Sequence, residues 1–473
     1  MSREGKLAKN TFVLGIGTII PKATSFFTIP LLTAFLTKEA YGTYELIPVL
    51  AGLLLPTVSL QIYTAAFRFL IDERKNASSV QSIITSIYGF VVPISFLALI
   101  ITFFFLPGST VIRFLIAAYL FSDMLLETGR QIARGLDKNA AYTVNSSIQA
   151  VLNLVLLAVL VWGVKLGLLG AVLSICISSV LSLVDINLRA GIFKQIHFSA
   201  FRTESVKKLI AYSWPMVPNC LSMWVMTVSD RLVVTAFLGV AANAVYSAAN
   251  KLPSILTTVQ NTFTMAWQEN ASIASRDLDA VEYYRRMYRT VFDFMAGVMS
   301  LLICATPVLF RLLIRGDYDE AYVHMPLLFL SMFFYSLCAF LGGIYVAYKD
   351  IKSVGITTML AAVCNLGIDL AAIRTFGLFA ASGSTLISYF LLFLFRLKDV
   401  QKLVKLQISI RHTVLVIVIL TVEAFLCFMR QPLLDLICLI LGVTVFFVLN
   451  RQLIVAVWTR SKTWMYERKH RKS

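Results

Sequence analysis

Lys22, Asp230, Arg231 and Lys251 each fall inside long apolar stretches of the sequence. An ionised group in hydrocarbon is expensive and demands a partner or a watery cavity. By helical rise, Lys22 lies about 20 Å from the outer end of its stretch, too deep for easy snorkelling. Asp230 and Arg231 lie roughly 10–12 Å, and Lys251 roughly 14 Å, from one shared outer turn. These three groups therefore share a depth. Two cations and one anion leave a positive surplus, which an anionic substrate, water or another carboxylate would balance. A structural Asp–Lys or Asp–Arg pair is the simpler alternative.

The stretch holding Lys251 carries Asn243, Ser247, Asn250, Lys251, Ser254, Thr257, Thr258 and Asn261 at three- or four-residue spacing. On a helix this makes one polar stripe. In lipid such a stripe must face protein or water. Interhelical hydrogen bonding is one explanation; its length favours a hydrated lumen. Asn145, Gln149 and Asn153 make a shorter version. Asp123, Glu127, Arg130 and Arg134 share a helical face near an inner mouth. A solvated entrance explains them, and Asp123 and Glu127 are also candidates for binding a coupling proton, because burial favours a neutral carboxyl. Glu45, Asp369 and Glu423 are further carboxyl candidates. Asp185–Arg189 and Arg289–Asp293 read as structural (i, i+4) pairs. The seven cysteines all lie in apolar segments without C-x-x-C spacing and read as packing residues. No phosphate loop, nucleophile constellation or metal-ligand spacing is present in the sequence, so neither cofactor nor metal is expected.

The elements that position these groups are membrane spans. The 473 residues are 58% hydrophobic, with a mean hydropathy of +0.80. Apolar periodicity and length predict about 14 transmembrane helices, since about 20 residues cross a bilayer. They are placed at 9–36, 41–69, 80–106, 112–134, 141–164, 167–189, 208–238, 242–266, 288–313, 324–348, 352–374, 378–397, 411–429 and 433–457. The first run is too long for the apolar part of a cleaved signal peptide. With the N-terminus inside, about 32 of the 42 Lys and Arg residues fall on inner segments and roughly seven on outer ones. That bias puts both termini in the cytoplasm. It also explains the net charge of +17 as topology, with attraction to anionic lipid heads, rather than nucleic-acid binding.

The inner connector at 190–207 divides the chain. The expected organisation is a six-helix lobe at 1–190, a second at 207–403, an added helix pair at 410–457 and a basic cytoplasmic tail at 458–473. Thr33-Ala34-Phe35-Leu36 recurs as Thr235-Ala236-Phe237-Leu238, with Tyr44 and Tyr246 in register. With six spans per lobe, the copies have the same orientation, as in a parallel repeat. Prolines 21, 30, 56, 215, 218 and 253 concentrate in the first two spans of each lobe. They suit either packing or a moving part.

Lys9-Asn10-Thr11, Gly15-x-Gly17, Pro30-Leu31-Leu32-Thr33 and Glu39-Ala40-Tyr41-Gly42-Thr43-Tyr44 resemble the first span and turn of bacterial polysaccharide flippases. Ser213-Trp214-Pro215-Met216-Val217-Pro218, Ser229-Asp230-Arg231-Leu232, Tyr246-Ser247-Ala248-Ala249-Asn250-Lys251 and Ala266-Trp267 resemble their seventh and eighth spans. Asn243-Ala244 replaces a glycine-containing turn found in many relatives. The resemblance places the chain in the multidrug/oligosaccharidyl-lipid/polysaccharide exporter superfamily. It implies an all-α membrane protein with two six-helix lobes around a central cavity. It further implies alternating-access transfer of an undecaprenyl-diphosphate-linked oligosaccharide to the outer leaflet of a bacterial plasma membrane.

In that reading Lys22, Arg231 and Lys251 meet the diphosphate, while Asn250, Ser254, Asn145 and Gln149 meet sugars. Asp123, Glu127, Asp230 and Glu45 are candidates for coupling to H+ or Na+. The expected partners are the lipid-linked anionic glycan, membrane lipids and a polysaccharide polymerase. A lipid II-type flippase, a multidrug/cation antiporter and a membrane glycan polymerase are the competing readings. Basic mid-membrane residues and short outer loops disfavour the last two.

Overall fold

The computed structural model describes residues 20–455 except 22, 107 and 276. The described chain is helical, and 11 of its helices are long and apolar enough to cross a membrane. Three further expected spans complete a set compatible with 14. The first is seen as α1 (Ala23–Phe35). The fourth is α5 (Thr110–Gly135), which carries Asp123, Glu127, Arg130 and Arg134. The eighth is α10 (Val240–Ala274), with its polar stripe. α5 is set apart by its charged residues Arg113, Asp123 and Glu127, and α10 by its polar stripe.

The intervening elements are α2 (Lys38–Val58), α3 (Ile62–Glu73), α4 (Ala77–Phe105), α6 (Asn139–Leu157), α7 (Gly167–Ala190), α8 (Thr203–Ser213) and α9 (Val217–Leu238). After α10 come α11 (Ala280–Cys304), α12 (Thr306–Leu313), α13 (Ala321–Ala347), α14 (Ile351–Phe376), α15 (Leu378–Val400), α16 (Ile410–Phe428) and α17 (Pro432–Leu449). The second expected span is broken at Ser59–Gln61, where Leu60 and Gln61 take left-handed backbone. Pro56 precedes the break, and the Ser59 hydroxyl bonds back to Leu55 O. The seventh is broken between α8 and α9, where Pro215 and Pro218 withhold backbone donors.

The chain forms two compact units. One runs to Thr235 and includes Gly239–Ala244; the other holds Ala236–Leu238 and continues from Val245. Most of α9 thus packs in the first unit, where Trp224 Nε1 donates to Val49 O at 3.1 Å. In this unit α5 lies along α7, α4 and α3. Ile84, Ile87, Leu126, Ile132 and Ile186 form their shared apolar core.

In the second unit α13 is almost wholly buried, with α15 and α11 beside it. α16 and α17 pack on α11. A Cβ at Gly442 would come within 2.9 Å of Cys304 Cβ, so α17 needs glycine there to approach α11 closely. Small residues at such crossings are a usual device of membrane helices, which lack a hydrophobic drive to associate.

Candidate functional site

The repeated tetrapeptide forms the same local structure twice. Thr33 Oγ1 donates to Ile29 O at 3.0 Å and Thr235 Oγ1 to Arg231 O at 2.6 Å. Each copy closes a helix just before the next one starts. In the first unit the α9–α10 turn touches the start of α2. Asn243 Nδ2 donates to Gly42 O at 3.0 Å. A Cβ at Gly42 would fall 2.0 Å from Val240 O, so glycine is obligatory for this contact. Asn243 thus supplies a side-chain bond from the start of α10 to α2.

Arg231 does not find its partner in its own turn region. Its Nη1 donates to Glu45 Oε2 at 3.3 Å, 186 positions away, in the same unit. The two side chains are 10% and 3% exposed, so this is a buried ion pair. The contact is single rather than forked, and Arg231 Nε has no hydrogen-bond partner. Asp230, adjacent, is buried as well. Glu45, read as an undistinguished carboxyl, is therefore the group that answers the Arg231 charge.

A second network lies on α5, α6 and α7. Arg130 Nε donates to Asn145 Oδ1 at 3.0 Å and Nη2 to Gln149 Oε1 at 2.6 Å. Glu127 lies 3.9 Å from Arg130, beyond hydrogen-bond reach, and accepts instead from Gln131 Nε2 at 2.7 Å. Asn145 spends its amide hydrogens on Ser182 O (2.7 Å) and Asp185 Oδ2 (2.9 Å). Asp185 also holds Arg189 at 2.5 Å, the structural pair expected from the spacing. The side chain of Arg130 is only 11% exposed, so it is not the solvated mouth residue that its position suggested. The amides expected to meet sugars hold this guanidinium instead. Asp123 lies one turn before Glu127, half-buried.

In the second unit the stripe on α10 is partly satisfied by its own helix. Ser254 Oγ donates to Lys251 O at 2.7 Å and Thr257 Oγ1 to Pro253 O at 3.1 Å. Asn261 Oδ1 accepts from Tyr335 Oη at 2.6 Å. Asn250, Lys251 and Ser254 are half-buried, and Ser247 is fully buried. Lys22 lies outside the described residues.

Sequence reasoning missed the buried Arg396 centre in this unit and named Asp369 and Glu423 without their partners. Arg396 donates to Cys338 O (2.8 Å), Val354 O (3.2 Å), Thr357 Oγ1 (3.0 Å) and Thr358 Oγ1 (2.9 Å). Asp369 accepts from Ser384 Oγ at 2.8 Å, with Asn365 Nδ2 3.3 Å from the same hydroxyl. All three of these latter residues are fully buried. Glu423, also fully buried, accepts from Ser300 Oγ at 2.7 Å. Beside it Cys304 and Cys438 are in thiol contact at 3.0 Å, both unoxidised.

This architecture of paired helical units with polar groups at membrane depth is that of a multi-pass membrane protein. It is shared with solved structures of the multidrug/oligosaccharidyl-lipid/polysaccharide exporter superfamily. The lipid II flippase MurJ, in an inward closed conformation, superposes with a TM-score of 0.71 at 16% identity, covering 94% of this chain and all of that one. An inward-facing multidrug resistance MATE family transporter gives 0.66 at 14% identity, covering 82% and 98%. A superfamily transporter from Pyrococcus furiosus, described as having a binding pocket of reverse polarity, gives 0.54 at 15%, covering 85% and 96%. No curated protein sequence matches significantly. The chain belongs to the family described as polysaccharide biosynthesis protein, whose pattern matches residues 7–268.

Proposed function

We propose that the chain is a flippase, not an enzyme. It carries an undecaprenyl-diphosphate-linked oligosaccharide from the inner to the outer leaflet of a bacterial plasma membrane by alternating access. The observation that carries this reading is the family match over residues 7–268, on a fold that follows a lipid II flippase along 94% of the chain. Cations held at membrane depth support it: a diphosphate is strongly solvated and enters the bilayer only where such groups replace its water. Lys22 and Lys251 are the proposed diphosphate contacts, with Asn250 and Ser254 beside Lys251 for the sugar. Arg231 joins them when it exchanges Glu45 for the substrate. Asp369, ringed by Ser384 and Asn365, joins Asp123, Glu127, Asp230 and Glu45 as a carboxyl able to take the coupling proton or sodium ion. Both termini are assigned to the cytoplasm on the charge bias. The membrane-embedded lobes and added helix pair follow the division at 1–190, 207–403 and 410–457, and a glycan polymerase is the proposed acceptor of the product.

Deleting the gene and analysing lipid-linked intermediates tests this. Accumulation of an unfinished polysaccharide repeat on undecaprenyl diphosphate is expected. Accumulation of the peptidoglycan precursor instead would assign the chain to lipid II transport. Lys22→Ala and Lys251→Ala are each expected to abolish export, in complementation of that deletion, while membrane insertion by immunoblot stays normal. Full activity of both variants would remove the anion-binding role.

A further inference from the structure

The second unit contains a cavity of about 530 Å³ at the start of α11, the start of α16 and the end of α17. All three helix ends belong to segments that the charge bias places inside. Arg285, Arg286 and Arg289 line it from successive turns of α11. Two acids, Glu282 and Asp293, answer these three arginines, which leaves a positive surplus. Glu282 takes Arg285 at 2.7 Å. Asp293 is committed to His412 Nε2 at 2.7 Å and stands 3.9 Å from Arg289, beyond hydrogen-bond reach. The expected Arg289–Asp293 ion pair forms through Asp293 Oδ2 as a long contact, while Oδ1 is held by a histidine from another helix. Arg286 has no acidic partner among the described residues.

Two buried donors in the lining are also unmet. Tyr288 is 5% exposed, yet its hydroxyl has no hydrogen-bond partner. Arg285 Nε is buried and equally unpartnered. A buried phenol and a buried guanidinium nitrogen left unanswered each cost free energy until an acceptor arrives. The surplus of positive charge makes an anionic acceptor the favoured one. Just beyond the cavity, Ile410, Val414 and Val418 make an exposed apolar line along α16. A ligand with a phosphate at one end and acyl chains at the other fits both features. A bare phosphate uses only the first, and would fill little of the volume.

We propose that this cavity binds the phosphate of an anionic phospholipid from the inner leaflet. Arg285, Arg286 and Tyr288 donate to its oxygens and its chains lie along α16. Basic pockets between membrane helices on the cytoplasmic side are suited to such headgroups. The site is separate from the proposed transport residues and stands whether or not the transported lipid is a glycan carrier.

Native mass spectrometry of the delipidated full-length protein tests it, with phosphatidylglycerol, phosphatidylcholine and inorganic phosphate as probes. Phosphatidylglycerol is expected to bind about tenfold more tightly than phosphatidylcholine, and Arg285→Gln/Arg286→Gln to remove that preference. Tyr288→Phe, which keeps the ring and its packing, is expected to weaken phosphatidylglycerol about threefold with an unchanged thermal melt. Equal binding of the two lipids, or an unaltered preference in both variants, would overturn the proposal. Inorganic phosphate binding as tightly as phosphatidylglycerol would also overturn it, by making the ligand a soluble anion.

Discussion

Arg231 and Arg396 are both buried in helices of a membrane protein, and their surroundings are opposites. Arg231 has one carboxylate at 3.3 Å and an unanswered Nε. Arg396 has no acid within reach among the described residues, but four neutral acceptors divide its N–H groups. A guanidinium carries five donors in a fixed fork. Arg396 uses the fork nearly in full and ties α13, α14 and α15 together. Arg231 leaves much of it idle. The first arrangement is saturated and has nothing to offer a ligand. The second is a poorly made pair that a better anion can displace at small cost, since imperfect geometry barely offsets the desolvation of two buried charges. What separates a structural cation from one able to serve transport is how completely it is satisfied, rather than how deep it lies.

Replacing each arginine should sharpen that contrast. The largest effect is expected for Arg396→Leu, which strips partners from three helices at once. A loss of about 4 kcal/mol, seen as poor expression and a much lower thermal melt in detergent, is expected. Arg231→Gln should cost about 2 kcal/mol while abolishing export, because its pair is a single long contact. Adding Glu45→Gln should recover most of that stability without recovering export, and a double-mutant cycle on the melting curves measures the coupling. A fully stable Arg396→Leu, or an Arg231→Gln that exports normally, would erase the distinction. A stability effect close to that of Arg231→Gln is expected for Gly42→Ala. The added methyl meets Val240 O and would loosen the Asn243 bond at a cost of about 1–3 kcal/mol by overpacking. A lower thermal melt in detergent would report that loosening.

The spans were legible because hydropathy and helical length are local properties. The repeat was legible for the same reason, and its threonine hydroxyls bond alike to the carbonyl four residues earlier. Local ion pairs fared unevenly. Asp185–Arg189 formed as a close hydrogen-bonded pair, while Arg289–Asp293 formed only at 3.9 Å, with His412, 119 positions away, making the shorter contact to Asp293. Spacing along one helix says which groups can meet, and packing decides which do. Arg231–Glu45 was illegible because 186 positions separate its members. Asn145 and Gln149 were read as a short polar stripe meeting sugars, and their partner Arg130 was assigned to solvent. Nothing in a helical face reveals that a neighbouring helix covers it. Arg396 drew no attention because its partners are carbonyls and threonine hydroxyls, which leave no charge signature in a sequence.

The central claim is that this chain carries a diphosphate-linked glycan across a bilayer with no other protein present. Purified protein should be reconstituted into liposomes with a fluorescent undecaprenyl-diphosphate oligosaccharide, and a membrane-impermeant quencher added after an interval. A quenched fraction that rises with time above that of protein-free and Lys251→Ala vesicles is the expected result. A fraction identical in all three, with protein insertion verified, would contradict the account.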